Sequence, residues 1–156
     1  MKILQHILTK KNKSGYLLSF SATISLQQQR KYIWSSIMGT SKLVVYVDFL
    51  NLLSQHNYPP VNTAVLCISG HRLSVFSIIE KTVELLDIDI IIFDSICACP
   101  WISPMTLHMK MDALRTAQSL DIYLLCESYH KPLLYVDQII SIDTVNSDPN
   151  PSFHTD

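Results

Sequence analysis

Four short apolar runs, each closed by a polar residue, constrain the fold of this 156-residue chain more than any other feature. Continuous apolar runs are typical of strands buried on both faces, as in parallel sheets, whereas a strand with one wet face alternates. The four runs cover residues 43–47, 63–68, 90–93 and 122–126. A fifth run, over 133–142, is interrupted by Asp137 and Gln138.

Segments with helical spacing separate these runs. Residues 72–86 and 104–119 repeat apolar residues every three to four positions, which predicts helices with one buried face. Ser103 before a proline is a typical helix start, and 20–38 is predicted to be a further helix that Gly39 ends. The alternation predicts an α/β fold, a three-layer Rossmann-like open sheet, mostly parallel, with helices on both faces.

Charge and composition divide the chain into three parts. We expect a basic amino-terminal segment over 1–40, holding a strand and a helix, an α/β domain over 41–145, and a loop-like tail over 146–156. Residues 1–47 contain seven lysines and arginines and no acid. Such a front suits a contact with an acidic partner or nucleic acid, a mitochondrial targeting segment or an ordinary solvated face, and the three interpretations stay open. Direct nucleic-acid binding is not expected.

Composition also excludes several classes of function. Glycine occurs only three times, and neither glycine-rich phosphate-binding motif is present. Backbone N–H groups need glycine to approach a phosphate, so no nucleotide cofactor is predicted. The four cysteines lack metal-site spacing and are too few for a secreted disulfide framework. Crossing a bilayer takes about 20 apolar residues in a row, and no such run exists, so we predict a cytoplasmic protein. The cysteine spacing predicts no metal site.

The carboxyl ends of parallel strands are where such sheets bind ligands and partners. Asp48 follows the first buried run, Asp94 follows the third and Glu127 follows the fourth. Asp94 ends the most apolar of the runs.

One set of acids favours a nuclease as an alternative. Asp48, Glu80 and Asp112 occur in an order that resembles PIN-domain ribonucleases of the toxin–antitoxin kind. Carboxylates that converge can hold hard divalent cations, which activate water for phosphodiester cleavage. The family's Thr-x-Asp after the last strand is here Cys126-Glu127-Ser128.

A STAS-like regulatory module, of the anti-sigma-antagonist kind, is the second alternative. Residues 65–70 and 90–95 resemble two of its strands. The Asp-Ser-[SG]-Gly turn of that family is absent, because Ile102-Ser103-Pro104-Met105 stands in its place.

A more specific resemblance begins where the fourth run ends. Residues 124–131 are Leu-Leu-Cys-Glu-Ser-Tyr-His-Lys, and Asp148-Pro149 follows downstream. This pattern resembles the regulatory subunits of eukaryotic translation initiation factor two-B, above all the delta subunit. There a strand ends in Cys-Glu-[ST]-Tyr-Lys-Phe, and an Asp-Pro-[DN] follows. Lys131 matches the family lysine after a one-residue insertion at His130.

The resemblance implies the Rossmann-like half of such a subunit, without catalytic residues. The implied contact residues are Glu127, Ser128, Tyr129, Lys131, Asp148 and Pro149. Related sugar-phosphate isomerases carry a catalytic acid at the position of Asp94, so the resemblance implies Asp94 as the candidate pocket residue. They also carry Asn-Lys-x-Gly-Thr where this chain has Pro-Met-Thr-Leu-His over 104–108, so isomerase activity is not expected. The implied partners are homologous subunits of the guanine-nucleotide exchange complex and initiation factor two, with the exchange chemistry in another subunit.

Overall fold

The computed structural model describes residues 15–48, 59–67, 74–94, 103–118, 120–125 and 137–144. Its strands are β1 Gly15–Phe20, β2 Val44–Asp48, β3 Thr63–Cys67, β4 Ile90–Asp94, β5 Asp121–Leu125 and β6 Gln138–Ile142. Its helices are α1 Leu26–Met38, α2 Ser74–Leu86 and α3 Pro104–Gln118. The four apolar runs are thus confirmed as strands β2, β3, β4 and β5, each within one residue of the expected bounds.

The described strands form one all-parallel sheet in the order β3-β2-β4-β5-β1-β6. The connection from β1 to β2 crosses this order in one direction, and the connections from β3 to β4 and from β4 to β5 cross it in the other. Because crossovers between parallel strands are right-handed, this reversal puts α1 on one face and α2 and α3 on the other. The predicted three-layer α/β architecture is confirmed.

Both faces of the central strands β2, β4 and β5 are buried, which explains why these strands are apolar without alternation. On one face, Ile33 and Ile37 of α1 pack against Tyr46 and Ile92. On the opposite face, Val45, Val47, Ile91 and Phe93 pack against Phe76, Ile79 and Val83 of α2 and Leu107, Met111 and Leu114 of α3.

A strand was expected within the amino-terminal segment 1–40, but without bounds, and the structure shows it as β1. It lies between β5 and β6, so the amino-terminal segment over 1–40 is not separated from the sheet at residue 40. Ser19, which is buried at 6% exposure, interrupts the apolar run of this strand. The run is therefore too broken to be recognised by hydropathy alone.

Helix α1 has a self-contained amino-terminal cap. Ser25 Oγ accepts a hydrogen bond from the Gln28 N–H at 3.2 Å, and Gln28 Oε1 accepts one from the Ser25 N–H at 2.9 Å, which forms a capping box. The helix predicted over 20–38 therefore begins only at Leu26. Gly39 caps the other end as predicted, but its φ of −82° is right-handed and does not require glycine.

Helix α2 ends on a residue in the left-handed region. Asp87 has a φ of 52°, and the Ile88 N–H donates to the Val83 carbonyl at 3.3 Å, as in a Schellman cap. We expect Asp87→Gly to raise the free energy of unfolding by about 0.5–1 kcal/mol, because glycine adopts positive φ without strain. Asp87→Ala should lower it. Urea denaturation measures both, and a less stable Asp87→Gly would contradict the expectation.

An ion-pair network ties β6 to β1 and α3 at the amino edge of the sheet. Asp137, immediately before β6, accepts hydrogen bonds from the Gly15 N–H at 2.7 Å and from Arg115 Nη1 at 2.6 Å. Arg115 Nη2 lies 2.5 Å from Asp112 Oδ1. A Cβ added at Gly15 would lie 3.3 Å from Met111 Cε, so the end of the methionine side chain would have to move by a few tenths of an ångström.

This network makes the stability of the fold depend on pH in the acid range. The Gly15 N–H, assisted by Arg115, holds the pKa of Asp137 below its ordinary value of 3.8. A lowered pKa stabilises the fold above that ordinary value, and the contribution is lost as the pH falls through the folded-state pKa.

We expect Asp137→Asn to flatten the dependence of stability on pH between about pH 5 and pH 2. The Asp137 side chain is 52% exposed, so the loss at pH 7 should stay below about 1 kcal/mol. Thermal melts at successive pH values give the result. Parallel pH curves for the variant and the wild type would contradict it.

Candidate functional site

Two acidic residues end adjacent strands at the carboxyl edge of the sheet. Asp48 closes β2 and Asp94 closes β4, and the two are partners in the parallel register. Their exposures are 0% and 1%. Since side chains alternate along a strand, both lie on the same face as Tyr46, which is the α1 face. Carboxylates buried side by side repel each other, so they need a cation nearby.

Arg30 of α1 provides that cation. Its side chain is buried, and Nε donates to Asp94 Oδ2 at 2.8 Å. Nη2 lies at 2.8 Å from the same oxygen without the alignment of a hydrogen bond. Tyr46 Oη donates to this oxygen at 2.6 Å, and the Trp34 ring packs on Tyr46 with centroids 4.8 Å apart. We call Arg30, Tyr46, Asp48 and Asp94 the Arg30 cluster.

The helix places Arg30 toward the sheet because of its position in the sequence. Arg30, Ile33 and Ile37 are spaced by three and four residues, so they share one face of α1, and all three are buried. The apolar stem of an arginine can pack among such residues while its guanidinium reaches a polar partner. Arg30 therefore reaches the carboxyl edge from within the core.

Burial makes the tyrosine of the cluster a permanent hydrogen-bond donor. Desolvation raises the pKa of Tyr46 well above its ordinary value of 10, and the charge and hydrogen bond of Asp94 raise it further. The charge of Arg30 opposes this change less strongly. Tyr46 therefore stays protonated at physiological pH, and its hydroxyl cannot act as a general base.

The connection between β1 and α1, at the same edge, is not built to hold a phosphate. A phosphate cradle needs glycine and free N–H groups at the start of a helix. Residues 16–38 contain no glycine, and 21–29 contain no lysine or arginine. The Gln28 N–H is already bound to Ser25 Oγ. This connection therefore lacks the features of a phosphate cradle.

The three acids of the nuclease alternative are not brought together. Asp48 is buried on the α1 face, whereas Glu80 is exposed on α2, across the sheet. Asp112 of α3 binds Arg115, which also binds Asp137 at the amino edge. Within the described ranges, no group of three His, Cys, Asp or Glu side chains could hold a metal ion.

The predicted contact residues lie outside the part of the chain that the structure describes. They are Glu127, Ser128, Tyr129, Lys131, Asp148 and Pro149. Strand β5 ends at Leu125, at the carboxyl edge and just before this segment. The candidate pocket residue Asp94 lies at the same edge, where it contacts Arg30 and Tyr46.

Arg30 and Tyr46 were not among the predicted site residues, although the sequence carries a signal for each. Arg30 is a cation on the apolar stripe of a helix, and Tyr46 shares its strand face with Asp48. Neither signal identifies a partner, because Arg30 and Asp94 are 64 residues apart in sequence.

By its described residues, the protein belongs to the class of open, all-parallel α/β sheets. A buried ion pair lies at the carboxyl edge of its sheet. No family model matches the chain, and no curated protein matches it. Among solved structures, the chain is similar to the flagellar accessory protein FlaH from Methanocaldococcus jannaschii. The TM-score is 0.51 and the identity is 13%, over 78% of this chain and 64% of FlaH. The chain thus spans less than two thirds of the length of FlaH.

At this identity, the likeness to FlaH shows the α/β fold alone. It agrees with the parallel sheet and the helices on both of its faces. None of the helices in the described residues has the length and hydropathy needed to cross a bilayer.

Proposed function

We propose that this chain is a non-catalytic subunit that acts through contacts with other proteins. The observation that carries the proposal is the position of Arg30. Its guanidinium binds Asp94 at the carboxyl edge, where open sheets of this kind bind their ligands. A ligand that bound Asp94 would have to displace a buried ion pair. Breaking such a pair by removing one partner costs about 3–5 kcal/mol, a large share of the affinity of a small ligand.

Two of the described groups at this edge, Tyr46 and Asp94, are also poorly suited to a reaction. General acid–base catalysis needs a group that exchanges its proton near neutral pH. Tyr46 does not, because burial keeps it protonated. Asp94 Oδ2 accepts hydrogen bonds from both Arg30 and Tyr46, so this oxygen is occupied by the protein itself.

More specifically, we propose that the chain is a subunit of the regulatory core of translation initiation factor two-B, in the cytoplasm. The support is the resemblance of residues 122–131 to the delta subunit. The end of β5 at the carboxyl edge also supports it, because partners bind there in such sheets. The chain would then contact homologous subunits and initiation factor two, and the exchange chemistry would lie in another subunit.

Co-expression with the other regulatory subunits of that complex tests this assignment. We expect the chain to co-elute with them at a fixed ratio in size-exclusion chromatography with light scattering. The paired change Glu127→Ala and Tyr129→Ala should abolish co-elution. Glu80→Ala, on the exposed side of α2, is the matched control and should not. A wild-type chain that elutes alone beside the intact subunits would overturn the assignment.

A nuclease assay tests the broader claim that the chain is not catalytic. We expect the purified chain to leave RNA intact in the presence of Mg²⁺ or Mn²⁺. Asp48→Asn addresses the candidate acid, and Glu84→Gln, on an exposed position of α2, is its control. Metal-dependent cleavage that Asp48→Asn abolishes and Glu84→Gln preserves would overturn the proposal.

A further inference from the structure

The proposed function uses the carboxyl ends of the strands and gives no role to the outer side of β6. In the sheet order β6 is the last strand, and among the described residues no strand lies on its outer side. The Ile142 carbonyl faces β1, where it accepts a hydrogen bond from the Ser21 N–H at 2.9 Å. Because successive residues of a strand turn their main-chain groups to alternate sides, Ile139 and Ser141 turn theirs outward.

Within the described residues, strand β6 also lacks three features that commonly protect an edge. Edge strands are commonly blunted by lysine, proline or a bulge. The sequence of β6, Gln-Ile-Ile-Ser-Ile, contains no charge and no proline, and its register with β1 is unbroken. Ile139 is 59% exposed. By contrast, Pro59 and Pro60 precede β3 at the opposite edge, and the side chains of 63–66 are partly buried.

We propose that β6 binds an extended segment of another polypeptide, which adds to the sheet as a further strand. Main-chain hydrogen bonds to Ile139 and Ser141 would provide the attachment, as in other strand additions. Alternate side chains of the segment would pack beside Ile140 and Ile142, which are 7% and 5% exposed on the α1 face. The inference rests on the proposed function, because it names a surface through which such a subunit makes contact.

Charge decides which segment fits. Asp137 precedes β6 and Asp143 follows it, and both are exposed. A second copy of β6, paired antiparallel with all five residues matched, would place Asp137 opposite Asp143 of that copy at both ends. Like charges directly opposite each other destabilise a strand pair, so a second copy is disfavoured. The geometry therefore favours an apolar segment with lysine or arginine at its ends. The basic residue opposite Asp143 should contribute most, because Arg115 already binds Asp137.

Labelled peptides test this on the full chain. The probe is Lys-Val-Thr-Val-Thr-Val-Lys, and the matched control has glutamate in place of both lysines. By fluorescence anisotropy we expect saturable binding of the probe, about tenfold tighter than the control at low salt and less so at high salt. A third peptide, N-methylated at alternate amides, should not bind, because it cannot form the main-chain hydrogen bonds.

Two protein variants complete the test. Ser141→Pro removes an outward N–H and should weaken probe binding about tenfold, whereas Ser141→Ala keeps the N–H and should bind as the wild type does. Asp143→Lys should reverse the preference between the lysine and glutamate peptides. If Ser141→Pro fails to fold, the N-methylated peptide still decides the question with the wild-type chain.

Three outcomes would overturn the inference: no binding of the probe, equal binding of the N-methylated peptide, or a dimer of the chain that Ser141→Pro dissociates. These measurements involve β6, at the end of the sheet order, and not the carboxyl ends of β2 and β4. A small ligand bound at Asp94 would therefore overturn the proposed function and leave the result on β6 standing.

Discussion

Replacing Arg30 with methionine is expected to lower the free energy of unfolding by about 3–5 kcal/mol. The change removes the cation that binds Asp94, the register partner of Asp48, and the exposures of Asp48 and Asp94 are 0% and 1%. Methionine retains much of the apolar stem, so the loss reflects charge more than volume. Denaturation by urea, followed by circular dichroism, measures it. A loss of this size is a large fraction of the stability of an ordinary domain.

The neighbouring Lys31 provides a matched control. It is exposed on α1, so Lys31→Met should change the stability by less than about 0.5 kcal/mol. The double change Arg30→Met with Asp94→Asn removes both partners of the pair. It should be less destabilising than the sum of the two single changes, with a coupling of at least about 1 kcal/mol. Additive losses would contradict the buried ion pair.

Replacing Tyr46 with phenylalanine is expected to lower the free energy of unfolding by about 1.5–3 kcal/mol, the range for a hydrogen bond to a charged group. The change removes the hydroxyl that donates to Asp94 Oδ2 at 2.6 Å. The ring itself is kept, so its packing against Trp34 and Ile33 should survive. Thermal and urea denaturation give the difference from the wild type.

Tyr123 of β5 is the matched control for this change. It is fully buried and stacks on Tyr16 with ring centroids 4.7 Å apart, but within the described part of the chain its hydroxyl makes no hydrogen bond. Removing a buried polar group without a partner relieves its desolvation, so Tyr123→Phe should be neutral or up to about 1 kcal/mol stabilising. Equal losses in Tyr46→Phe and Tyr123→Phe would contradict a specific bond to Asp94.

The central strands could be predicted from the sequence because helices cover both of their faces. Residues 90–93, Ile-Ile-Ile-Phe, are apolar at every position, and every one of them is buried in β4. In β6 only Ile140 and Ile142 are buried, and Gln138, Ile139 and Ser141 are exposed. The fifth run was therefore visible in the sequence, but the bounds of its strand were not.

The Arg30 cluster could be predicted only in part. The apolar runs placed Asp48 and Asp94 at strand ends, and parallel strands bring such ends to one edge. That β2 lies directly beside β4 depends on the order of the whole sheet, which hydropathy does not determine. Helical spacing puts Arg30 on the buried face of α1, but only the assembled fold selects Asp94 as its partner.

Titration calorimetry with Mg²⁺–ATP, and separately with NAD, is the most direct test of the central claim. It asks whether the Arg30 cluster closes the carboxyl ends of β2 and β4 to ligands. Nucleotides are the ligands that open parallel sheets bind at this edge. We expect no saturable heat and no rise in melting temperature at millimolar nucleotide. Ligand at 100 times its Kd would stabilise the fold by about 2.7 kcal/mol, so a thermal melt would detect it. Saturable binding by the wild type that Asp94→Asn abolishes would contradict the closed edge and the non-catalytic role proposed from it.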